Sequence, residues 1–161
     1  MTQKNYDRLR AVLYARRWAF SRNPAYFNFS GLGGDCTNFV SQCLYAGAGV
    51  MNYTPVFGWF YRSANDRTAS WTGVEYLYNF LIANEGEGPT AEEVRLCDLQ
   101  IGDIIQLGRE TGDFYHSCLA VGFRGGVPLV ASHSLDAFNK PLTSYVFEKA
   151  RFLHITGVNV P

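Results

Sequence analysis

The apolar residues of this chain change their period part-way along, and that change limits the fold more than any other feature. From about Asn5 to Ser21, Tyr6, Leu9, Leu13 and Phe20 recur at helical spacing, with Val12 and Trp18 beside them, until Asn23-Pro24 stops the run. A second helical run covers roughly Thr37 to Tyr45, with Phe39, Val40, Cys43 and Leu44 on its apolar side and Ala46-Gly47-Ala48-Gly49 closing it. A third covers about Gly73 to Ala83 through Val74, Leu77, Tyr78 and Leu81. Beyond a polar turn at Glu85–Pro89 the pattern becomes that of strands: Asp103–Leu107, His116–Phe123, a turn at Arg124-Gly125-Gly126, Val127–His133 and Arg151–Ile155. Helices first and a small antiparallel sheet after them define an α+β fold, and 161 residues without repeats or linkers suit one domain, 1–161.

The segment from Met51 to Trp71 fits neither period. It reads as a long ordered loop whose rings, Trp59 and Trp71 above all, are expected to border a cleft between the second helix and the sheet.

Charge narrows the function. Lys+Arg and Asp+Glu are 14 each, and the absence of a basic excess or a polybasic run argues against nucleic acid as partner. Met1 to Arg17 carries scattered charges and no apolar stretch, so it is neither a membrane span nor a signal peptide. The chain as it stands reads as cytoplasmic, and as exported if a leader has been removed from it.

The four cysteines, Cys36, Cys43, Cys97 and Cys118, form no C-x-x-C pair and no zinc-like spacing, and they read as reduced thiols. Cys43, Cys97 and Cys118 are expected as small buried hydrophobes. Cys36 differs, because Gly33-Gly34-Asp35 delivers it to the first turn of a helix. There, free N–H groups and the positive end of the helix dipole favour a thiolate and can hold an oxyanion. Asp35 has a simpler reading as the N-cap of that helix.

A cysteine nucleophile needs a base within reach. His116 opens one strand and His133 closes the next, so a hairpin about Gly125 brings both to the same end; His154, in an apolar strand, reads as structural.

These residues resemble a known group. The run Asp35-Cys36-Thr37-Asn38-Phe39-Val40-Ser41-Gln42 resembles the nucleophile motif of the bacterial putative amidase-domain family, which is similar to the NlpC-type and CHAP cell-wall peptidases of papain-like fold. Leu99–Ile105 resembles the approach to the histidine strand of that superfamily. His116–Val121 resembles its base-bearing strand, and Ala131–Ser134 the strand supplying a third polar group. The likeness runs from about Tyr6 to Ile155.

The resemblance implies a papain-like domain, with N-terminal helices packed on a small antiparallel sheet. It implies a thiol amidase or peptidase acting on peptide or peptidoglycan-like amide bonds, without metal or organic cofactor. In that scheme Cys36 attacks the carbonyl, His116 is its base and then protonates the leaving amine, and His133 orients the His116 ring. The Cys36 N–H and a polar side chain of the preceding loop hold the oxyanion. Asp136 is the rival for the orienting role. The alternative function is a catalytically silent binding module that grips a ligand with its aromatic loop.

Overall fold

The second apolar run folds as helix α2, Cys36–Ala48, with ten of its 13 residues buried. A helix buried on nearly every side must sit at the centre of the packing. The computed structural model, which describes residues 1–161, arranges the rest of the chain around it. Helix α1 (Arg8–Trp18) lies on one side, its first turn capped by Asp7, whose carboxylate accepts from Arg10 N at 3.0 Å. Helices α3 (Ala69–Thr72) and α4 (Val74–Ala83) meet at Gly73 on another side.

The strands are β1 (Thr2–Lys4), the small pair β2 (Tyr61–Ser63) and β3 (Asp66–Arg67), β4 (Gly88–Val94), β5 (Ile104–Gly108), β6 (Phe114–Arg124), β7 (Val127–Ser132), β8 (Ala137–Pro141) and β9 (Lys149–Val160). One antiparallel sheet runs β1-β9-β5-β6-β7-β8, and β4 lies on the other edge of β9. The fold is α+β, as the order of the patterns requires.

Three expectations are corrected. The buried face of α1 is Ala11 and Ala15, continued by Ala19, whereas Leu9, Leu13 and Phe20 are 61%, 50% and 67% exposed. The alanines face α2, where Ala15 and Ala19 pack with Phe39 and Cys43, and the residues leading into α1 close on Gly47, where an added Cβ would lie 2.5 Å from the Tyr6 ring and 2.7 Å from the Asp7 carbonyl. Second, Gly88 and Pro89, read as part of a turn, begin β4. This edge strand is held by its seven-residue ladder to β9 rather than by apolar alternation, so no period announced it. Third, Trp59 and Trp71 border no cleft: both are fully buried, in a core with Leu44, Leu77, Leu81, Ile104 and Leu153. Their indole N–H groups donate to Ser41 Oγ (3.1 Å) and Asn38 Oδ1 (3.0 Å), which fixes the back of α2.

Candidate active site

Cys36 occupies the first position of α2 and is half-buried. The chain reaches it through Gly33 (φ 88°) and Gly34 (φ 104°), two left-handed residues that only glycine adopts without strain. Asp35 stands at the N-cap position, yet its side chain makes no capping bond. Its carboxylate is drawn away instead. Oδ1 accepts from Phe29 N (2.8 Å) and Asn38 Nδ2 (2.9 Å), and Oδ2 lies 2.6 Å from His133 Nδ1 and 3.5 Å from Arg22 Nε. No side chain therefore closes the first turn of α2, and its N–H groups stay free for an anion beside the thiol. Burial opposes the charge on Asp35, but the bonds from His133, Asn38 and Phe29 outweigh it and hold the carboxyl below its ordinary range.

The other polar residues of the run hold the helix. Thr37 Oγ1 lies 3.0 Å from Ser117 Oγ on β6, Asn38 bonds Phe27 O and Trp71, Ser41 bonds Trp59, and Tyr14 donates to Gln42 at 2.5 Å. The motif is thus mostly a docking device that places one thiol.

His133 makes no hydrogen bond to His116. Its Nε2 lies 2.8 Å from Trp18 O and its Nδ1 2.6 Å from Asp35, and its ring stacks on Phe39 at 4.0 Å. Both ring nitrogens are thereby taken up, and neither is left for His116. His133 ties the Asp35–Cys36 corner to the end of β7 and closes the C-terminus of α1, where a donor is favoured. Asp136 is committed as well: both its oxygens lie 3.0 Å from the Arg22 guanidinium. Between these two anchors Ser134 (φ 81°) and Leu135 (φ 104°) are left-handed, a strain sustained by the pairs on either side.

His116 lies on β6, where side chains alternate between faces. Ser117 and Leu119 face α2, through Thr37 and through the cluster of Phe39 and Cys43. His116 shares the parity of Cys118 and Ala120, which pack with Ile105, Leu107 and Val130. Its ring lies beside Tyr145, at 5.8 Å between centroids, in a cavity of about 330 Å³ bounded also by Ser134, Leu135 and Lys140. No hydrogen bond joins it to Cys36 or to His133, and its Nε2 is buried without a partner. Burial, helped by the charge of Lys140, pushes its pKa down to about 4, so the ring is neutral near pH 7. A larger cavity, about 510 Å³, lies between Val56–Gly58 and α4 and holds no cysteine or histidine.

Of the remaining thiols, Cys43 and Cys118 are buried as expected, with burial raising the pKa of each. Cys97 is exposed, against expectation, in the short 3-10 turn Leu96–Asp98. His154 is structural: its Nδ1 lies 2.9 Å from Asp103, a buried carboxylate that Arg8 also binds at 2.6 Å.

The fold and site define an α+β protein that presents one cysteine at the uncapped N-terminus of its central helix. Residues 5–156 match the family described as "Putative amidase domain", and the chain belongs to that family. It is 38% identical over 137 residues, 82% of its length, to "Uncharacterized protein YhbB" of Bacillus subtilis (strain 168), and it spans 42% of the length of that relative. No solved structure matches the chain.

Proposed function

We propose that the protein is a thiol-dependent amidase or peptidase that hydrolyses peptide or peptidoglycan-like amide bonds, with Cys36 as nucleophile, in a single domain of papain-like type. The observation that carries this reading is the uncapped first turn of α2. Asp35 is pulled onto His133, and the vacated helix N-terminus carries the half-buried Cys36. That geometry stabilises a thiolate before attack and a tetrahedral oxyanion after it, with the Cys36 N–H as one donor.

His116 is the base this reading uses. Of the three histidines, His133 and His154 are bonded to carboxylates, and only His116 keeps a buried ring nitrogen without a partner. It is neutral at pH 7 and able to accept a proton. Its backbone adjoins Ser117, whose side chain bonds the residue after Cys36. In the resting protein the thiol and the imidazole are not hydrogen-bonded, and His116 shares the face of β6 turned away from α2; this reading therefore requires the ring to reach the thiol around the end of the strand when substrate binds. Negative charge developing on sulfur or oxyanion then strengthens the imidazole as a base. It takes the thiol proton and returns it to the leaving amine, and water releases the acyl group from sulfur.

The binding-module alternative keeps only Tyr53 and Phe57 as exposed rings of its loop, because Trp59 and Trp71 are buried core residues. The deciding experiment incubates the protein with peptidoglycan fragments and with short peptides and follows new amino groups. Release that disappears in Cys36→Ala and after iodoacetamide treatment supports the reading. Release that survives Cys36→Ala overturns it.

A further inference from the structure

A row of buried polar side chains crosses the sheet and ends at the residue after Cys36. Arg151 on β9, Gln106 on β5 and Ser117 on β6 are register partners in neighbouring strands. Gln106, Ser117 and Thr37 are at most 1% exposed and Arg151 is 9% exposed. Arg151 is clamped between the rings of Tyr78 (3.7 Å) and Phe114 (3.9 Å) and bonds Glu75 at 2.9 Å.

The direction of the bonds in the row follows from the guanidinium at one end and from the partners each later group has left. A guanidinium only donates. Arg151 Nε and the terminal Nη2 lie 2.8 and 2.7 Å from one atom of Gln106, so that atom is the amide oxygen. The Gln106 NH2 group then donates to Val74 O (3.0 Å) and to Ser117 Oγ (3.2 Å). Of the two partners of the buried Ser117 hydroxyl only Thr37 Oγ1 can accept, so the Ser117 hydrogen goes there, at 3.0 Å. The Thr37 hydrogen is left for the atom it faces next, Cys36 Sγ at 3.8 Å. Each donor in such a chain is polarised by the one behind it.

We propose that Arg151, Gln106, Ser117 and Thr37 form a one-way hydrogen-bond relay that aims the Thr37 hydroxyl proton at the Cys36 sulfur and so favours its thiolate. They are positioning residues, since none but Thr37 touches the sulfur. The inference rests on Cys36 being the nucleophile of the proposed amidase. It gives the cationic end of the row, Arg151 with Glu75, a role in the chemistry of a thiol that neither residue contacts.

The test is the iodoacetamide alkylation rate of Cys36, read by peptide mapping on the full chain at about pH 6.5 and about pH 9.5, below and above the ordinary thiol range. Thr37→Val removes the last donor and is expected to slow alkylation about tenfold at the lower pH, the worth of one hydrogen bond to a charged group, with less than about twofold change at the higher. Thr37→Ser restores the wild-type rate. Gln106→Glu keeps the Arg151 partner but turns the donor facing Ser117 into an acceptor. It reverses the row and reproduces the Thr37→Val pattern.

Wild-type rates in a folded Thr37→Val or Gln106→Glu variant overturn the relay, and so does an equal loss at both pH values, which marks a merely structural role. If Thr37→Val does not fold, Gln106→Glu and Ser117→Ala decide the matter by the same ratio. Alkylation reads the thiol and not amide turnover. A protein that shows this pattern yet hydrolyses no amide refutes the amidase reading and leaves the relay standing.

Discussion

His133 Nδ1 lies 2.6 Å from Asp35 Oδ2, and this buried pair fastens the residue before Cys36 to the end of β7. His133→Ala takes one bond from a buried carboxylate that keeps Phe29 N, Asn38 and Arg22, and is expected to lose about 1.5 to 3 kcal/mol of stability; Asp35→Ala, which strands several donors, should lose at least as much. Asp136→Ala breaks only a half-exposed pair with Arg22 and should lose less than about 1 kcal/mol. Urea unfolding of the three variants checks this. A His133→Ala protein as stable as the wild type would show that the pair is not what holds the corner.

Two groups give the stability an acid dependence in separate windows. The His116 pKa falls from an ordinary 6.5 to about 4 in the folded protein. As pH drops from 6.5 towards 4 the unfolded chain takes up a proton that the folded one refuses, and stability falls. Asp35 has its pKa lowered by folding, because bonds from His133, Asn38 and Phe29 overcome the opposing effect of burial. Its contribution is complete above the unfolded carboxylate value, about 3.9, and is lost as pH falls below it. Unfolding curves against pH should lose the upper window in His116→Leu and the lower one in Asp35→Asn. A proton NMR titration of the His116 ring with its midpoint near 6.5 would contradict the first assignment.

His116 Nε2 is a buried polar atom without a partner, which is costly to keep. His116→Leu is expected to stabilise the protein by about 1 kcal/mol while abolishing amide hydrolysis. A thermal melt beside an activity assay reads both, and a destabilised but active variant would remove His116 from the mechanism.

Exposure divides the thiols. Cys43 and Cys118 are buried and should stay unlabelled by iodoacetamide in the native state, whereas Cys36 and the exposed Cys97 react. At about pH 6, where an ordinary thiol is protonated, Cys36 should outpace Cys97 by an order of magnitude or more. Equal labelling of the two would deny Cys36 any activation.

The reversed face of α1 is equally open to test. Leu13→Gln touches an exposed position and should change stability by less than about 0.5 kcal/mol. Ala15→Leu forces a large side chain into a fully buried site and should lose about 1 to 3 kcal/mol. The opposite ranking in thermal melts would restore the leucine face to the core.

The sequence by itself determined the class of fold, the central helix and the thiol at its start. These follow from local rules: the change of apolar period, the glycines that only a left-handed turn requires, and the position of Cys36 in the first helical turn. Where local signals were ambiguous or missing, the reading failed. Two stripes of α1 are both periodic, and it is the alanine stripe that packs on α2, against Phe39 and Cys43. Strand β4 has no apolar alternation and exists because β9 offers it an edge.

Only the tertiary structure decided who partners whom. The hairpin about Gly125 does bring His116 and His133 to one end, but the pleat sends His133 towards Phe39 and α2 and His116 to the other face. That parity depends on which neighbours cover each face, and the sequence of one strand does not carry that information. The row from Arg151 to Thr37 is likewise invisible along the chain, since strand register joins Arg151, Gln106 and Ser117 and the packing of α2 on β6 adds Thr37, across 114 residues of sequence.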